Sequence, residues 1–100
     1  FNNNDIDEAI KISKNALKKD NRNINIMLLL ATSYAQKGSL EFKEQEYGEK
    51  SLKIIKQVLS IDPKNVFAYE IAGYAYEIMG KYEKAMENYN KAIVLDNTVA

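Results

Sequence analysis
The sequence predicts an all-α fold of stacked helical hairpins, and three observations predict it. First, Tyr69, Ala72, Gly73 and Tyr76 stand at i, i+3, i+4 and i+7, so large and small side chains share one helical face. Gly80 interrupts that pattern, and Ala85, Tyr89, Ala92 and Ile93 restart it at helical spacing. Second, the same arrangement recurs upstream. Ser51 to Ala85 spans 34 positions, as does Pro63 to Asn97, while Ala9 to Ser51 and Asn21 to Pro63 each span 42. Third, one proline and four glycines in 100 residues leave long stretches free of helix breakers.

In chain order, Asp5 with Glu8 three residues on reads as an N-cap and capping box opening the first helix. Ile6, Ala9, Ile10, Ser13, Ala16 and Leu17 keep one face mostly apolar, and Asp20-Asn21-Arg22-Asn23 ends the helix. It reads as the second helix of a hairpin whose first helix lies upstream of Phe1. The next helix runs from Ile24 to Gly38, where Met27, Leu30, Ala31 and Tyr34 repeat the spacing of Tyr69, Ala72, Gly73 and Tyr76. Its partner ends with Ser51, Ile55, Val58, Leu59 and Ile61-Asp62-Pro63.

The spacing of 42 against 34 places eight extra residues between Gly38 and Ser51. Eight residues are about two helical turns. The expectation is an elongated hairpin or a short extra helix broken near Gly48. Leu40, Phe42 and Tyr47 are expected to pack this extension down, in preference to forming a partner-contacting projection. The final hairpin follows from Val66, and a further first helix is expected to begin at Thr98-Val99-Ala100.

Residues 66–99 resemble the tetratricopeptide repeat, whose pattern is W-x2-L-G-x2-Y, then A-x3-F, then P with a 34-residue period. Tyr69, Ala72, Gly73 and Tyr76 take the Trp, Leu, Gly and Tyr places. Ala85 and Tyr89 take those of Ala and Phe, and Asn97 stands at the Pro. The resemblance implies a right-handed superhelix of about two and a half repeats: 1–23 as the second helix of a truncated repeat, 24–65 as a complete repeat with the insertion, and 66–99 as another. An array needs about three repeats and polar caps, so the chain is expected to continue in both directions.

Composition narrows the function. Lys plus Arg and Asp plus Glu are 14 each, and Arg22 is the sole arginine, which disfavours nucleic acid and anionic membranes as partners. The longest apolar run, Ile26 to Ala31, is far too short to span a bilayer. Without cysteine there is no thiolate chemistry or disulfide, and the compartment stays open, with the cytoplasm as default. Without histidine the usual general base and commonest metal ligand are missing. No phosphate loop or nucleophile elbow occurs, and the Glu41, Glu44, Glu46 and Glu49 series reads as a solvated helix face rather than a cation site. No enzyme activity, cofactor or metal is expected.

What remains is surface. The resemblance places the first helix of each hairpin on a concave inner wall. The wall-facing stripe is then Phe67, Glu70, Tyr74, Glu77 and Ile78 on one helix, with Asn25, Leu28, Thr32, Ala35 and Gln36 on the other. Asn25, Leu28, Thr32, Gln36, Phe67, Glu70, Tyr74 and Glu77 are the candidate partner-binding residues, with Phe67 and Tyr74 as aromatic anchors. The alternative for both aromatics is packing against a neighbouring repeat.

Some members of the family clamp a terminal carboxylate with Lys, Asn and Arg on this wall. Leu28, Thr32, Phe67 and Ile71 occupy those places here, and Glu70 and Glu77 repel an anion. The expected partner is a protein or peptide segment with apolar and basic side chains. Self-association through exposed repeat ends, or substrate docking for a larger enzyme, are the alternatives.

Overall fold
In the computed structural model, which describes residues 3–99, five helices follow one another: α1 Asn3–Lys19, α2 Ile24–Leu40, α3 Glu44–Ile61, α4 Val66–Ile78 and α5 Tyr82–Val99. No strand occurs among the described residues. Each helix packs on the next, and α2 also packs on α4, whereas α1, α3 and α5 make no close backbone approach to one another among the described residues. One layer is therefore closed and the other splayed, as in a curved stack of hairpins.

Met27 and Ala31 of α2, Ile55 and Val58 of α3, and Ala68 and Ala72 of α4 form the buried core. Each fully buried large side chain there contributes about 1.5–3 kcal/mol of apolar transfer. Ala72, Gly73 and Ala85, on which the nested register depends, are all buried. Gly73 leaves room for the partner helix: a Cβ placed on it would lie 2.7 Å from the Tyr89 ring of α5.

The two inter-hairpin loops are copies of one turn. Asn23 Oδ1 accepts from the Ile26 amide at 3.1 Å, and Asn65 Oδ1 accepts from the Ala68 amide at 2.8 Å, capping α2 and α4. Each asparagine also donates through Nδ2 to an aspartate three residues earlier, Asp20 or Asp62, at 3.1 Å.

The turns within the hairpins also match. Lys43 donates its amide to Gly38 O and Lys81 to Tyr76 O, both at 2.9 Å, the six-to-one bond of a Schellman ending. That ending needs a left-handed residue. Gly80 supplies it with φ +77, and in the earlier hairpin Phe42 does so with φ +55.

Several expectations change. Asp5 lies within the first turn of α1 and so is not its N-cap. No break occurs at Gly48, which is buried in a continuous α3. The extension is an elongated hairpin, with α2 of 17 residues beside α4 of 13, and α3 starting correspondingly early. Of the three residues expected to hold it down, Tyr47 does, stacking on Tyr34 at 6.0 Å between ring centres. Leu40 and Phe42 do not: Leu40 is exposed, and Phe42, in a left-handed backbone conformation at the turn, is 85% exposed. At the far end, α5 runs to Val99, since Asn97 lacks the ring with which a proline would stop it.

Lys37 ties α1 to α2 through Asp7, and pairs with Glu41 at 2.7 Å. Those bonds, to Asp7 first and then Glu41, hold its ammonium above the ordinary lysine range.

Two stability predictions follow from buried and strained groups. The Ser51 hydroxyl is buried without a hydrogen-bond partner, and Ala85 fills the same place one repeat later. Ser51→Ala is expected to raise unfolding free energy by about 1 kcal/mol, measured by urea titration. Phe42→Gly is expected to add about 1 kcal/mol by relieving the left-handed backbone. That gain should raise the melting temperature by about 4–8 °C.

Candidate functional site
The candidate residues all lie on α2 and α4, which pack side by side and would together form the candidate wall. Its N-terminal end is set by the two asparagine caps, which start the helices at Ile24 and Val66 in equivalent positions.

The stripe residues differ in accessibility. Phe67 is 63% exposed, and Asn25 and Glu70 are exposed with it, so this end of the wall is open. Leu28 is half-buried and packs against the core. Thr32 is half-buried with its hydroxyl donating to Leu28 O at 2.9 Å, and Gln36 and Tyr74 are half-buried too. Ala35 is fully buried and so leaves the stripe, while Ile78 is half-buried with its Cδ1 against Gly38.

Glu77 is exposed but engaged, accepting a hydrogen bond from the Tyr89 hydroxyl of α5 at 2.7 Å. Burial of the phenol, then that bond and the nearby Glu77 charge, push Tyr89 up to about 12. One carboxylate oxygen of Glu77 is thereby engaged by α5.

Sequence reasoning passed over Leu29 on α2, which is exposed although its register partner Ile71, 42 positions on, packs against the core. Register alone would bury Leu29 as it does Ile71, because exposure depends on which helices lie beside it. Among the described residues, no group of three or more His, Cys, Asp or Glu is placed to hold a metal, and no helix is long and apolar enough to cross a membrane.

A closed layer of first helices, a splayed layer of second helices and repeated loops together define a helical-hairpin repeat protein. Its last hairpin, residues 66–99, matches the family model described as tetratricopeptide repeat. A solved structure titled "MamA MSR-1 C2" is similar, with a TM-score of 0.76 and 21% identity over 96% of this chain and 51% of that one. The chain therefore spans about half the length of that structure, and the likeness is one of fold. No curated protein matches the sequence.

The Tyr89–Glu77 bond yields a pH prediction. A raised tyrosine pKa means that the fold favours the neutral phenol. Its stabilisation is complete below the ordinary value of 10.0 and fades as pH rises towards about 12. Absorbance at 295 nm should show a tyrosine step near that upper value, absent in Tyr89→Phe and moved down in Glu77→Gln.

Proposed function
We propose that this chain is a protein-interaction module that holds a polypeptide segment along the α2–α4 wall. The observation that carries the reading is Phe67, an aromatic left 63% exposed beside Glu70 on the first turns of α4. Exposed aromatics anchor interfaces because they offer large apolar area at little conformational cost. Phe67 and Tyr74 act as the anchors, Glu70 selects a basic residue, and Asn25, Thr32 and Gln36 offer polar contacts to the segment's backbone. Leu28 supports the wall from beneath, and Glu77 contributes only when Tyr89 releases it.

In this reading the repeat units are 1–23, 24–65 and 66–99, and the module is a non-catalytic scaffold. The absence of a basic clamp at Leu28, Thr32, Phe67 and Ile71 directs it away from terminal carboxylates and towards apolar, basic segments.

A second reading, self-association through a repeat end, is supported by α5. Met86 and Ile93 lie 34 positions after Leu52 and Leu59, which are half-buried and packed against the core. On α5 the same positions are 64% and 59% exposed.

Selection of displayed random peptides on the immobilised chain tests the main reading. Enriched peptides are expected to carry an aromatic or leucine within a few residues of Lys or Arg. Their affinity should fall at least about 30-fold in the Phe67→Ala, Tyr74→Ala double variant. Enrichment of acidic peptides, or affinity unchanged in that variant, contradicts it.

A further inference from the structure
The hairpin tip and the loop edge of this molecule carry a knob and a hole. The knob is Phe42, held in a left-handed conformation and largely in water, at the end of a hairpin longer than its neighbour. The equivalent turn uses Gly80. A strained residue whose side chain gains nothing from its own fold is a mark of function.

The hole is a cleft of about 370 Å³ with Pro63, Tyr69, Val94 and Leu95 as walls and Glu87 and Lys91 at its rim. An equivalent cleft in the preceding hairpin has Asn21, Met27, Gln57, Ser60 and Ile61 at the matching positions. That earlier cleft stays open although α4 and α5 follow it, so stacking of a further hairpin does not by itself fill such a site. The two differ in chemistry: Asn21 becomes Pro63, Met27 becomes Tyr69 and Ser60 becomes Val94, which turns a polar cleft into one with apolar walls.

We propose that the chain associates with itself edge to edge, Phe42 of one copy entering the Pro63–Tyr69–Val94 cleft of the next. The charges beside the two surfaces complement each other. Lys43 follows Phe42 and is mostly exposed, its ammonium 4.0 Å from a Glu41 carboxylate oxygen, while Glu87 at the cleft has no ion-pair partner among the described residues. Glu44 and Glu46 on the knob side match Lys91, whose ammonium lies over the Tyr69 ring at 5.6 Å. A formal net charge of zero leaves no overall repulsion between copies.

Geometry sets the product. The α2–α3 turn and the α3–α4 loop lie at opposite ends of α3, so knob and hole occupy opposite edges of the stack. Such a contact is heterologous and, unless the rotation closes a ring, it adds copies without limit. It uses neither Phe67 and Tyr74 nor the Met86–Ile93 stripe.

Sedimentation velocity of the full chain from micromolar to millimolar concentration tests the proposal. The sedimentation coefficient is expected to rise continuously past that of a dimer. Phe42→Gly, which leaves the hole, and Val94→Asp, which leaves the knob, should each weaken association at least about 30-fold. Mixed together, the two variants should form a one-to-one complex and nothing larger.

Lys43→Glu should weaken association about threefold, and adding Glu87→Lys should restore it. Met86→Lys should change nothing. A chain that stays monomeric throughout, association unaltered by Phe42→Gly, failure of the mixed variants to pair, or loss on Met86→Lys alone overturns the proposal.

Discussion
Everything in this fold depends on how closely α4 can approach α5, and Gly73 sets that distance. With no side chain there, the Tyr89 ring lies where a Cβ would otherwise sit. Ala72 and Ala85 keep the same seam narrow, and Ala68 and Ala75 are buried with no exposed surface. Small residues on one helix against a large one on its partner fix both the spacing and the register of a hairpin, because interiors tolerate neither voids nor overlap. In the earlier hairpin the corresponding seam uses Ala31, Ser51 and Ile55. There the large residue is aliphatic and the small ones are different, yet all three are buried.

From that seam the surfaces follow. Tight hairpins bring α2 and α4 into contact, whereas α3 and α5 make no close backbone approach among the described residues, and the candidate stripes lie side by side on the closed layer. The asparagine caps align the starts of both first helices, so their stripes run level. The Tyr89 hydroxyl reaches from this same seam to Glu77, which couples the packing of the last hairpin to the charge on its wall. A change at Tyr89 would therefore be felt both in stability and in the wall's electrostatics.

The residue spacing made the helices and their pairing legible, since a period of 3.6 with alternating size is visible at Tyr69, Ala72, Gly73 and Tyr76 without any coordinates. The extra eight residues were legible in number but not in form. Helical composition suits both an elongated hairpin and a broken one; in the structure α3 runs unbroken through Gly48, and Tyr47 stacks on Tyr34. Phe42 was misread because left-handed turns are signalled by glycine, and here the glycine is missing. Asp5 was misread because α1 already begins at Asn3, and the end of the last helix because Asn97 lacks the ring by which a proline would stop it. The family resemblance, and not the periodicity, assigned Phe67 and Glu70 to the inner wall; in the structure both are exposed. The burial of Ala35 and the capture of Glu77 depend on adjacent helices, which periodicity does not contain.

The most direct test of the nested register is a double-mutant cycle across Gly73 and Tyr89, read by urea unfolding. In the native background Gly73→Ala introduces a methyl group into the space of the ring and is expected to destabilise by about 1–3 kcal/mol. In a Tyr89→Ala background the ring is gone, and the same change should be neutral or stabilising by up to about 1 kcal/mol through helix propensity. A reversal of sign between the two backgrounds is the result this account predicts; an equal loss in both would contradict it.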